Sequence, residues 1–159
     1  VGRTTDKDLG RKALLIHLSQ ARHAYADVGL FEGEGHEGTE LSLAEIGAVH
    51  EFGTRDGRIP ERSWLRRNHD EHHVRYAKML DAAFSKILTG ATDVVSALTA
   101  FAEKVASDAR RTLTQVREPP LAASTIRAKG GKTNPLIDTG ALRAGIRGRV
   151  TLAGRKVSD

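Results

Sequence analysis

Apolar residues recur at helical spacing over residues 8–21, where Leu9, Ala13, Leu14, Leu18 and Ala21 share one side, and they predict a first helix. The period then falls to two. Ala24, Ala26, Val28 and Leu30 alternate with His23, Tyr25, Asp27 and Gly29, as in a strand buried on one face. The glycine- and glutamate-rich run 32–40 breaks the pattern and predicts a flexible surface loop. Ser42 and Glu45 then form a capping box, in which each side chain serves a backbone donor of the other. Behind it Leu43, Ile46, Val49 and Phe52 line one face, and Gly53 suits a helix end, so a short helix spans 43–52. Residues 54–62 are turn-rich, with an Asp56-Gly57 turn and Pro60 barring helix at Ile59.

From Trp64 the helical period returns. Asn68 and Glu71 offer a second capping box, and Tyr76, Leu80, Ala83, Phe84, Ile87 and Leu88 continue the stripe up to a Thr89-Gly90 break. Thr92 offers the next cap, and Val94, Leu98, Phe101, Val105 and Leu113 carry a second long helix to about residue 115. Two long amphipathic helices joined so briefly pack antiparallel. Residues 116–138, with Pro119-Pro120, Gly130-Gly131 and Pro135, are expected to be irregular and flexible around a helical turn at 123–129. Asp138 or Thr139 caps a last short helix through about Arg143. Ile146, Val150 and Leu152 then give a C-terminal strand turning at Ala153-Gly154. The fold class expected is α+β, a small, mainly antiparallel sheet packed on two long helices plus short helices and extended loops. Neither a repeat nor a long linker divides the 159 residues, which form a single domain.

Composition narrows the function classes. Only 4% of residues are aromatic, so the core rests on aliphatic side chains. The sequence lacks cysteine, which removes disulfides, thiol catalysis and Cys-based zinc sites. No apolar run approaches the roughly 18 residues that span a bilayer, and no secretory signal pattern opens the sequence. A net charge of +5 suits nucleic acid or an acidic protein surface. The basic residues are scattered, however, with short clusters at Arg66–Arg67, Arg110–Arg111 and Arg143–Arg149, so a solvated basic face explains them as well as a DNA-reading module does.

Catalytic chemistry finds little footing. His69 and His73 stand one helical turn apart beside Asp70, Glu71 and His72, a spacing that can hold a metal. The run is not H-E-x-x-H and no third ligand is placed, so a polar first turn is the plainer reading. Ser42, Ser63 and Ser124 lack the G-x-S-x-G elbow, and no carboxylate sits in an apolar segment that would raise its pKa. No catalytic, metal or cofactor site is expected.

Two segments carry a resemblance. The first runs from Ala44 through His50-Glu51-Phe52-Gly53-Thr54 to Arg58-Ile59-Pro60-Glu61-Arg62-Ser63-Trp64-Leu65-Arg66. The second runs from Pro119-Pro120-Leu121-Ala122 through Ser124–Gly130 to Pro135-Leu136-Ile137-Asp138-Thr139-Gly140-Ala141-Leu142-Arg143. Together, in this order and spacing, they resemble the neck and tail-completion proteins of long-tailed bacteriophages, also labelled virion-morphogenesis, minor tail or head–tail joining proteins. The likeness covers roughly residues 24–152. Trp64 departs from it, standing where Phe is commoner, and the acidic run 32–40 is particular to this sequence.

The resemblance implies a non-enzymatic virion protein, made in the host bacterial cytoplasm, that forms a homo-oligomeric ring in the neck or at the top of the tail. A hexamer is the family expectation. The implied partners are further copies of the chain, neighbouring head-completion or connector proteins, and tail-tube or terminator proteins, with no membrane. If the lumen is basic, its arginines would touch channel DNA without reading sequence. The alternatives are a tail terminator capping the tube and a basic DNA-binding packaging factor. Candidate assembly residues are Phe52, Ile59, Pro60, Arg62, Trp64, Leu65, Arg66 and Arg67 in the first segment, and Leu136, Asp138, Thr139, Leu142 and Arg143 in the second. Aromatics beside arginines resemble interface anchors. Core filling competes with that role evenly for Trp64, and is the expectation for Phe52 on the apolar face of its helix. Asp138-Thr139-Gly140 is expected to act as a cap and turn that aims the last strand.

Overall fold

A computed structural model describes residues 10–33, 40–152 and 155–158. In chain order the elements are α1 (Arg11–Ala21), β1 (Ala24–Gly29), α2 (Leu43–Phe52), α3 (Leu65–Leu88), α4 (Val94–Gln115), α5 (Ala123–Ala128), α6 (Ala141–Gly145), β2 (Arg147–Leu152) and β3 (Arg155–Ser158). The expected α+β class holds. The three strands form one antiparallel sheet in the order β1-β2-β3, with Ala24 opposite Leu152 and Gly29 opposite Arg147, so the two ends of the sequence close on each other. Residues 34–39 of the expected loop, the Ala153-Gly154 turn, and the start of the first expected helix lie outside the described residues.

The central helix, α4, touches α3, α6, β1 and β2. Its deepest positions are small: Ala97, Ala102, Ala106 and Ala109 are buried with Val94 and Leu113. Small side chains let the sheet approach closely. At Gly148 of β2 an added Cβ would stand 2.6 Å from Ala102 Cβ and 2.9 Å from its carbonyl carbon. Arg110 ties the same helix to the entry of β2, its Nε and Nη2 donating to the Ile146 carbonyl at 3.0 and 2.6 Å.

The two long helices form the expected antiparallel hairpin. Tyr76 packs edge-on to Phe101, and Ile87 shares an apolar cluster with Val94 and Ala97. A polar strip binds the other end. Buried Asp108 accepts from Arg75 and Lys104, both at 2.5 Å, and Asn68 bridges Tyr76 Oη and Thr112 Oγ1. Burial alone would raise the Asp108 pKa, but Lys104 and Arg75 overcome it and hold the carboxyl below its ordinary value.

Two expected caps are displaced. Asn68 lies buried inside α3 instead of starting it, because the Tyr76–Thr112 strip claims its amide. Asp93, rather than Thr92, caps α4, accepting from Ser96 N at 2.9 Å. The Ser42–Glu45 capping box forms as expected. Gly53 ends α2 with φ +72 and ψ 177, so it is an extended turn open to glycine rather than a left-handed helical cap. The final short helix starts at a left-handed Gly140, and Thr139 Oγ1 accepts from Ala141 N while Asp138 takes no part in the cap.

The inward face of α2 also departs from the sequence pattern. Leu43, Gly47 and Glu51 are its buried residues, one per turn, while Phe52 is 67% exposed. Gly47 sits in this face because Leu30 fills the space its side chain would need. The expectation that Phe52 fills the core is thereby reversed. Trp64 is the aromatic that does so, at 2% exposure, packed with Ala106, Ala109, Leu113, Val116, Leu136, Leu142 and Ile146.

Candidate functional site

The two segments that carry the resemblance, more than fifty residues apart in sequence, line one open cleft of about 710 Å³. One wall is α2, whose Leu43, Ile46 and His50 follow each other along a face, continued by Arg58, Ile59, Pro60 and Arg62. The opposite wall comes from Pro120 through Thr125 to Lys129, then from Pro135-Leu136 and from Asp138 to Leu142.

Each wall is stiffened by its own chemistry. In the first, Thr54 N donates to the Ile59 carbonyl at 2.8 Å and Thr54 Oγ1 accepts from Ile59 N at 2.9 Å, closing the loop around the Asp56-Gly57 turn. Gly53 makes this fold-back feasible, since a Cβ there would meet Glu61 N at 2.8 Å and the Ile59 carbonyl at 2.9 Å. In the second wall, Lys129 Nζ donates to the carbonyls of Asn134 and Ile137, both at 2.8 Å. Asn134 in turn donates to the Thr114 carbonyl and accepts from Leu136 N. The segment 116–138, expected to be flexible, is irregular but pinned at these points.

Arg62 joins the walls. Its backbone N donates to the His50 carbonyl at 2.8 Å, while Nε and Nη2 donate to the carbonyls of Pro119 (2.7 Å) and Pro120 (3.1 Å). Both prolines lie between α4 and α5 in no helix or strand, so no ladder occupies their carbonyls and a side chain satisfies them. The guanidinium is buried, and among the described residues it has no carboxylate within salt-bridge distance. The nearby acids are engaged elsewhere: Glu61 pairs with Arg66, and Glu51 with the start of α3. Burial first, then the charges of Arg62 and Lys129, lowers the His50 pKa and favours the neutral imidazole; among the described residues its buried Nδ1 has no hydrogen-bond partner. Burial likewise lowers the Lys129 pKa, with Asp138 opposing and Lys132 and Arg62 adding to the effect.

On the other side of α2, Glu51 organises the helix junction. Its buried carboxylate accepts from the backbone N–H groups of Trp64 (2.8 Å), Leu65 (2.9 Å) and Arg66 (3.0 Å), and from Ser63 Oγ (2.7 Å). One side chain thus serves three of the donors that a helix leaves unpaired at its start, where the dipole also favours an anion. Beside it the exposed Phe52 ring lies under the Arg66 guanidinium, 5.6 Å from its carbon.

The candidate assembly residues therefore divide. Trp64, Arg62, Leu136 and Leu142 are buried within the subunit, where they fix the walls instead of presenting a surface. Ile59, Pro60 and Leu65 are half-buried, and Ile59 and Pro60 face the cleft. Phe52, Arg66, Arg67, Asp138, Thr139 and Arg143 are exposed, Arg67 paired with Glu71 and Asp138 near Lys132. The cleft side chains His50 and Lys129, and the capping Glu51, were not singled out from sequence. Glu51 and His50 stand in the first resemblance segment, and a carboxylate in the last turn of a helix, opposed by that helix's own dipole, was a further signal for Glu51.

The histidine cluster stays on the surface. His69 and His73 stack with centroids 5.7 Å apart, and Asp70 engages the Nδ1 of both. Among the described residues no three His, Asp or Glu side chains are grouped to hold a metal ion, and no helix is long and apolar enough to cross a membrane. Compared with known proteins, the chain matches no protein-family model, no curated protein and no solved structure.

Proposed function

We propose that this chain is a structural subunit of a bacteriophage virion that assembles as a ring at the head–tail junction and completes or joins the tail. The observation that carries the proposal is the meeting of the two resemblance segments. Residues 44–66 and 119–143 build one cleft and share one core, so the likeness follows a three-dimensional unit rather than two isolated turn motifs. A closed ring needs a head-to-tail contact between two different surfaces of the same subunit. The cleft and the Phe52–Arg66 patch lie on different faces of α2, and a rigid helix fixes the angle between them. An aromatic side chain exposed beside an arginine has the composition of an interface hot spot.

Electron microscopy of lysates from the phage with this gene disrupted tests the proposal. Filled heads beside separate tails of normal length are expected, and complementation with Phe52→Asp should leave that phenotype while the purified variant melts like the wild type. Tails of abnormal length would make the chain a terminator. Intact, infectious particles would overturn the virion reading and favour the DNA-binding alternative, which requires salt-sensitive duplex affinity in the isolated protein.

A further inference from the structure

Three cations, Arg58, Arg62 and Lys129, line the cleft against one carboxylate, Asp138. Buried charges are ordinarily paired, because desolvating an ion is costly. Among the described residues Arg62 has only two carbonyl dipoles for company, and Arg58 stands exposed at the rim in a solvent-screened pair with Asp56 at 3.2 Å. Lys129 spends two of its three N–H donors on Asn134 and Ile137, leaving one. Between these cations the walls are apolar, from Ile46, Ile59 and Leu121. A site of this kind suits a carboxylate-bearing polypeptide with apolar flanks better than a phosphodiester backbone.

The same sequence contains such a segment. Residues 32–40 hold four glutamates with no lysine or arginine and run into the exposed Leu41, in a chain whose net charge is +5. We infer that the cleft of one subunit receives the acidic segment 32–40 of a second copy, the glutamates meeting Lys129 and Arg58 in the field of Arg62. The inference rests on the self-assembly proposed above and names the contact that makes it. Complementary charge favours encounter in one orientation and penalises cleft-to-cleft contact, which would oppose like charges.

The probe is a fluorescein-labelled peptide copying residues 30–41, titrated into the full-length chain and followed by fluorescence anisotropy. Saturable binding is expected, weakened about tenfold or more when the four glutamates of the peptide are glutamine, and similarly by Arg58→Glu in the protein. Thr125→Trp, at an exposed position on the α5 wall, should block binding without touching the core. Any of four results overturns the inference: no binding to the wild type, equal binding of the glutamine peptide, indifference to both cleft variants, or displacement by duplex DNA as effective as that by unlabelled peptide. Binding confined to a chain whose own four glutamates are glutamine also overturns it, because the segment would then occupy its own cleft. A failed titration beside unjoined heads and tails would remove this contact and leave the virion reading standing.

Discussion

At the scale of single residues, the side chain with the largest structural leverage is Glu51. Replacing it by alanine leaves three backbone N–H groups and the Ser63 hydroxyl without their acceptor, at a junction between two helices. Glu51→Ala should lower unfolding stability by about 2–3 kcal/mol in urea titrations. Glu61→Gln, which removes only the exposed partner of Arg66, should cost about 0.5 kcal/mol or less. Equal midpoints for the two variants would refute the capping role. His50 sets a pH dependence of definite sign. Its folded pKa lies below the unfolded value of about 6.5, so below that pH the unfolded chain binds a proton the folded chain refuses. Stability is therefore full above about pH 6.5 and falls as the pH drops toward the depressed folded value. Urea midpoints at pH 7.5 and 5.5 should differ more for the wild type than for His50→Gln. The acids with lowered pKa, such as Asp108 and Asp93, titrate below this window and do not obscure it.

At the scale of elements, most boundaries were legible because they depend on local chemistry. The capping box before α2, the break at Thr89-Gly90 and the alternation of β1 are properties of neighbouring residues. Which face an element buries is a different matter. Periodicity placed Leu43, Ile46, Val49 and Phe52 inward. Leu43 is buried, Ile46 packs against the core and Val49 is half-buried, but Phe52 is exposed. Gly47 and Glu51 are buried instead, because Leu30 needs space and the start of α3 needs an acceptor. On α3 the expected apolar stripe is only partly used: Tyr76 and Ile87 are buried, while Leu80, Phe84 and Leu88 remain exposed. The contact of α4 with β2 is the tightest constraint between elements. Gly148→Ala drives a methyl group into Ala102 at backbone depth, and should cost about 1–3 kcal/mol, read as a lowered Tm. An unchanged Tm would mean that the helix and sheet can separate without loss of packing.

At the scale of the whole molecule, the proposed ring uses surfaces that exist only after distant segments have met. Arg62 brings Pro119 and Pro120 to the end of α2, and Trp64 receives Leu136 and Leu142, so the core and the cleft are assembled by the same tertiary contacts. The sequence by itself determined the α+β class, the antiparallel helix hairpin and most helix ends, because spacing, caps and glycines act over a few residues. Only the tertiary structure decided that Trp64 is core and Phe52 is surface, and that Arg62 is an internal tie. Those outcomes depend on what each side chain meets across fifty or more residues, and a buried donor or charge takes whichever acceptor the fold delivers to it.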